Sequence, residues 1–219
     1  MAFKMATNST SGDSPAWMGL LPEQLTIAIR LLQGAVCFTV SGLVAAAIVR
    51  YKQLRERKEL VVIGALCVAD AVNGLARFSS GVNRYYYSST GQSDLKVDKR
   101  ECMWRLHYWL FISGIGGATF LYFAMAIDRL LATAWPLRYF SWGVGYGRRL
   151  AAAFTALTLL NAIYLALSTQ FLKGKKVSVL CLHNQAIGKE TATLQLAILS
   201  LVMGATIVIY IAIPFIYIK

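Results

Sequence analysis

Five apolar runs alternate with polar segments along the chain, at residues 27–49, 60–78, 107–133, 150–171 and 193–218. Crossing roughly 30 Å of hydrocarbon at about 1.5 Å per residue takes about 20 residues in a helix, and each run is long enough. The pattern predicts an all-α integral membrane protein: a polar tail over residues 1–22, then one membrane domain over residues 23–219 with five transmembrane helices. Few polar side chains interrupt the runs. Asp70, Asn73 and Arg77 in the second run are three and four residues apart, so they share a helix face that should look into a bundle and away from lipid. Two readings of that face stand: a local polar brace, or an ion- or proton-sensitive centre. In the third run Ser113 with Gly117, and Gly114 with Ala118, place small residues at i and i+4, which permits close helix approach and marks the central, most crowded helix. The fifth run holds Pro214 near its end, where a kink is expected.

Composition agrees with the membrane as solvent: 57% of residues are hydrophobic and 15% charged. The net charge of +12 is dispersed in short clusters between apolar blocks. No continuous basic face tracks phosphates, so a nucleic-acid partner is not expected. The first twenty residues lack the apolar core of a cleaved signal peptide, which leaves the first run as the targeting signal. Arg50, Lys52, Arg55, Arg57 and Lys58 follow that run, against a lone Lys4 before it. The positive-inside rule therefore places the N terminus outside. Asn8-Ser9-Thr10 then faces the glycosylation machinery and matches its acceptor triplet. Cys102 and Cys181 fall on the outer side, where an oxidising compartment joins thiols; with His107 and His183 nearby, a two-Cys, two-His zinc site is the alternative. Cys37 and Cys67 lie within runs and behave as small apolar groups.

The most informative stretch is Ala124 to Tyr139, AMAIDRLLATAWPLRY. Asp128 and Arg129 stand where an apolar run gives way to a polar segment, on the inner side of this topology. Charges there are costly unless paired or hydrated, so they point to function. Pro136 cannot continue a helix interior, so the helix should end before it and a short turn follow. The segment around Gly143, Gly145 and Gly147 reads as a flexible inner turn, since no preceding strand or dinucleotide spacing supports a phosphate loop. The long polar segment from Ser79 to Glu101, with Tyr85, Tyr86 and Tyr87, fixes no structure by its sequence. No nucleophile motif or ligand cluster at active-site spacing points to an enzyme, and no cofactor is implied.

Taken together these residues resemble a rhodopsin-like (class A) G protein-coupled receptor, and AIDRLLATAWPLRY is most similar to the nematode serpentine chemoreceptors of the Srsx type. Lys52-Gln53-Leu54-Arg55 resembles the first inner loop of that superfamily, and Leu66-Cys67-Val68-Ala69-Asp70 its acidic second-helix motif. Asp128-Arg129 resembles the third-helix ionic pair, Pro136-Leu137 the inner loop that receives a G protein, and Pro214 the fifth-helix proline. The resemblance implies a disulfide between Cys102 and Cys181, resting-state pairing of Asp128 with Arg129, and a heterotrimeric G protein as partner. It implies a plasma-membrane location, including the ciliary membrane of a sensory neuron. Phe111 and Ile115 would face a ligand cavity. Phe111 stands where amine receptors carry an aspartate, which disfavours an amine and leaves a peptide or a neutral or anionic odorant. Ala118 stands where a polar partner of Asp70 is common, which argues against bound sodium. Such receptors have seven spans, so the sequence is expected to be a fragment or truncated form ending before the sixth and seventh, able to associate with a full-length receptor. The competing readings are a transporter or channel subunit with a polar path at Asp70, and a non-switching membrane scaffold.

Overall fold

The computed structural model describes residues 23–92, 95–170, 176–181 and 187–217. It contains eight helices and two short strands among those residues: α1 (Glu23–Arg50), α2 (Lys52–Arg55), α3 (Lys58–Ser89), β1 (Lys96–Asp98), α4 (Lys99–Trp104), α5 (Leu106–Ala134), α6 (Pro136–Ser141), α7 (Val144–Gln170), β2 (Lys176–Ser178) and α8 (Lys189–Tyr217). Five of them, α1, α3, α5, α7 and α8, are long and apolar enough to cross a membrane. The fold is therefore the expected all-α membrane architecture. Asn8 and the rest of the tail lie outside the described residues, as does His183.

The helices are arranged around α5, which packs against α3, α7 and α8 while α3 packs against α1. Small residues explain the centre. A Cβ on Gly114 would come within 2.6 Å of the Asn73 Cα on α3, and one on Gly117 within 3.2 Å of the Ala69 Cβ. The crowding anticipated for the third run is thus realised through α3. The α1–α3 crossing is as close, and from both sides: a Cβ on Gly34 would lie 2.6 Å from the Phe78 nitrogen, and one on Gly74 2.5 Å from the Phe38 nitrogen. Backbone meets backbone there, and only glycine at both positions permits it. Elsewhere α1, α7 and α8 expose apolar side chains such as Leu32, Leu43, Leu160 and Leu201, as helices solvated by lipid do.

Two segments differ from their sequence expectation. The stretch after Phe78 continues α3 for three more turns, because Gly81 seats Leu31 of α1 and nothing breaks the helix before Thr90 and Gly91 (φ +66°). The supposed glycine turn is largely helix: α7 starts at Val144, and Gly145 and Gly147 lie within it. Gly147 is there for proximity, since a Cβ would fall 2.5 Å from the Lys58 carbonyl oxygen.

At one end of the bundle β1 and β2 pair antiparallel, with Val97 opposite Val177. The Cys102–Cys181 disulfide ties α4 to the segment after β2 across 79 residues of sequence. Its formation removes both thiols from the zinc alternative. The bridge is packed in a buried cluster with Tyr108, Ile112, Leu165, Val177 and Ile187. Arg105 stitches the same end together: Nη1 donates to the Val179 carbonyl at 2.9 Å, Nη2 reaches the Tyr87 hydroxyl at 3.4 Å, and Glu101 lies 3.7 Å away.

Candidate functional site

The site lies at the opposite end, where α5, α6, α7 and the start of α3 meet. Helix α5 stops at Ala134, Trp135 leaves the helical conformation (φ −134°, ψ 63°), and Pro136 opens α6 as its first residue. Proline suits that position because its missing N–H would have no helical partner. The turn brings Tyr139 back under α5. Tyr139 is buried, and its hydroxyl donates to both oxygens of Asp128, at 3.0 and 3.1 Å. Asp128 itself is 1% exposed. Burial and the adjacent carboxylate push the Tyr139 hydroxyl above an ordinary tyrosine, so the phenol stays protonated and remains a donor.

This geometry replaces the implied Asp128–Arg129 pairing. The ion pairs within 4.0 Å among the described residues are Lys52–Glu56 and Arg105–Glu101. The reason is helical direction: consecutive residues project about 100° apart on a helix, so Asp128 enters the bundle while Arg129, half-buried, takes another face. The two still interact through space.

Lys58, the first residue of α3, completes the joint. Its ammonium donates to the carbonyl oxygens of Tyr139 and, at 3.1 Å, of Trp142, and sits 3.7 Å from the Tyr139 ring centroid. Three donors on one point charge suit two carbonyls and a π face. Trp142 and Tyr146 pack edge-to-face against the same phenol, at 6.0 and 6.2 Å between centroids. Gly147 lets α7 reach the Lys58 backbone. Neither Lys58 nor Tyr139 stood out in the sequence. Tyr139 closes the AIDRLLATAWPLRY stretch, and its spacing of eleven residues from Asp128 is meaningful only once Pro136 turns the chain.

The other face of α6 is open. Leu137 is 88% exposed and Phe140 80%, with Trp135, Pro136 and Arg138 exposed beside them. One short helix therefore carries a buried anchor, Tyr139, and an exposed apolar face.

The remaining predicted positions are dispersed. The Asp70 side chain lies within electrostatic range of Tyr122 on α5, and its carbonyl accepts from the Cys37 thiol at 3.4 Å. Asn73 packs on Gly114, whereas Arg77 turns to Gln33 on α1 at 3.3 Å. The three residues thus serve three separate contacts, not one brace. Phe111 and Ile115 are half-buried on α5, with Ile112 between them in the disulfide-end cluster. Helix α8 continues through Pro214, which is exposed.

The model of the serpentine type 7TM GPCR chemoreceptor Srsx family matches residues 36–219. The chain belongs to that family. The matched residues take in Asp70, both bridged cysteines, Asp128, Arg129, Tyr139 and Pro214 of this Srsx chain. No curated protein matches it. Family membership makes it a multi-pass membrane protein of a chemoreceptor family, in keeping with its five apolar helices.

Proposed function

We propose that this chemoreceptor chain couples an extracellular ligand to a heterotrimeric G protein, with the Asp128 end inside the cell and the disulfide end outside. The observation that carries the reading is α6. A six-residue helix fixed by Tyr139 to a buried carboxylate presents Leu137 and Phe140 to solvent beyond the membrane-spanning helices. Exposed apolar side chains on a rigid mount beside basic residues are what a partner protein binds. Arg129, next to Asp128 but not bound to it, is the residue turned toward the partner when the helices shift. A ligand drives that shift only if it binds the two arrangements with different free energy. Phe111 and Ile115 on α5 are the proposed ligand-facing positions, and an acidic or neutral ligand suits them better than an amine. The plasma membrane, in a sensory cell its ciliary part, is the proposed location, and Asn8 the proposed glycan site.

The test uses a photocrosslinking residue in place of Leu137 in cell membranes containing a Gα panel. A crosslink to one Gα that disappears with a non-hydrolysable GTP analogue is the expected result. Arg129→Ala should reduce nucleotide exchange at equal surface expression. No crosslink to any Gα, with exchange unaffected by Arg129→Ala, would refute coupling at this face.

A further inference from the structure

We propose that the α1–α3 interface near the disulfide end is a binding site for an oxyanion carried on an acyl chain, formed by Arg30, Arg77 and Arg84. The level of the site is fixed by packing. A Cβ on Gly81 would meet the Leu31 side chain at 2.8 Å, so Arg30, the neighbour of Leu31, lies level with Gly81. Arg77 and Arg84 stand four residues before and three after Gly81, on the same face of α3. Arg77 is held by the Gln33 side chain at 3.3 Å, and Arg30 is within electrostatic range of both other guanidiniums.

Three like charges are thus gathered in a partly buried place. Among the described residues, neither ion pair involves any of them. Of the two carboxylates on α3, Glu59 stands at its far end and Asp70 lies about two turns deeper than Arg77. The Arg84 Nε is fully buried and has no hydrogen-bond partner. Mutual repulsion and a stranded donor both call for an anion. Guanidinium forks match carboxylate and phosphate oxygens two at a time.

Depth and surroundings specify the carrier. Arg84 is five residues from the end of α3 and Arg30 seven from the start of α1, roughly 8 and 10 Å along their axes. The helices, of 28 and 32 residues, outreach the roughly 30 Å hydrocarbon layer, so these two arginines lie near the headgroup boundary. Ile29, Phe78 and Val82 beside them are exposed and apolar. A charged head at the arginines therefore leaves a tail along these side chains. A free fatty acid and an acidic phospholipid share that chemistry.

The site is independent of G-protein coupling, so its test reads binding alone. The chain in uncharged maltoside micelles is melted by intrinsic fluorescence with added decanoate, phosphatidylglycerol, inorganic phosphate, decanol or sodium chloride at matched ionic strength. A saturable rise of several degrees with decanoate or phosphatidylglycerol, absent with decanol and chloride, is expected in the wild type. It should shrink at least by half in Arg84→Gln, or in Arg30→Gln if the former does not fold. A response to decanoate alone assigns the site to a free acid; one to phosphatidylglycerol alone assigns it to lipid. Wild-type melting that is flat in both, or that responds to inorganic phosphate as strongly as to either amphiphile, overturns the proposal, as does an undiminished response in the folded variant.

Discussion

The two ends of the bundle solve one problem, joining helices across a loop, by different chemistry. At the disulfide end a covalent bridge, a two-stranded sheet and a buried apolar cluster around Tyr108 and Leu165 act together. At the Asp128 end the join rests on a phenol, a carboxylate and one ammonium, with apolar side chains left open on α6. A cross-linked end keeps its shape whatever the helices do. An end held by a few hydrogen bonds can exchange one partner for another at a cost of a few kcal/mol, as a switch requires. The contrast supports assigning ligand capture to the first end and signal output to the second.

The largest effect should follow from replacing both Cys102 and Cys181 with serine. Closing a loop of this length stabilises by about 2–5 kcal/mol, so melting should fall by many degrees. Hydrogen exchange should quicken around β1, β2 and α4 while α6 stays protected. Equal loosening of both ends would abolish the contrast. Tyr139→Phe comes next: it leaves the ring against Lys58 but removes the donor to a buried carboxylate, worth about 1.5–3 kcal/mol. Exchange should quicken in α6 and leave the disulfide end unchanged, and basal nucleotide exchange on the G protein should rise as the joint loosens. Arg105→Met, which removes the contacts to Val179 and Tyr87, should cost about 1–2 kcal/mol and act only at the disulfide end. Smallest in stability is Leu137→Ala, within about 0.5 kcal/mol of wild type by melting; its expected effect falls on G-protein crosslinking and exchange.

Much of this organisation was legible in the sequence because membrane helices announce themselves by length and hydropathy. The five apolar runs, the central place of the glycine-bearing third run and the Cys102–Cys181 bridge all appear in the structure. What escaped has a common cause. The contacts of Arg77 with Gln33, of Lys58 with Tyr139, and of Gly147 with the Lys58 carbonyl join residues far apart in sequence, and no periodicity encodes them. Neighbours in sequence misled for the complementary reason: Asp128 and Arg129 are adjacent in the chain but point apart on a helix. The extension of α3 past Phe78 was hidden because polar residues such as Ser79, Ser80 and Asn83 lengthen a helix beyond the hydrocarbon without any apolar signal.

The glycine contact between α1 and α3 also bears on mechanics. With the Gly34 and Gly74 backbones touching, these two helices have no intervening layer of side chains to slip over, so they behave as a stator. Gly114 seats α5 on the Asn73 backbone of α3 just as closely, so the displacement that the proposed signalling needs would fall mainly to α7 and α8 turning against that fixed core. An anion held by Arg30, Arg77 and Arg84 would grip the stationary half of the machine.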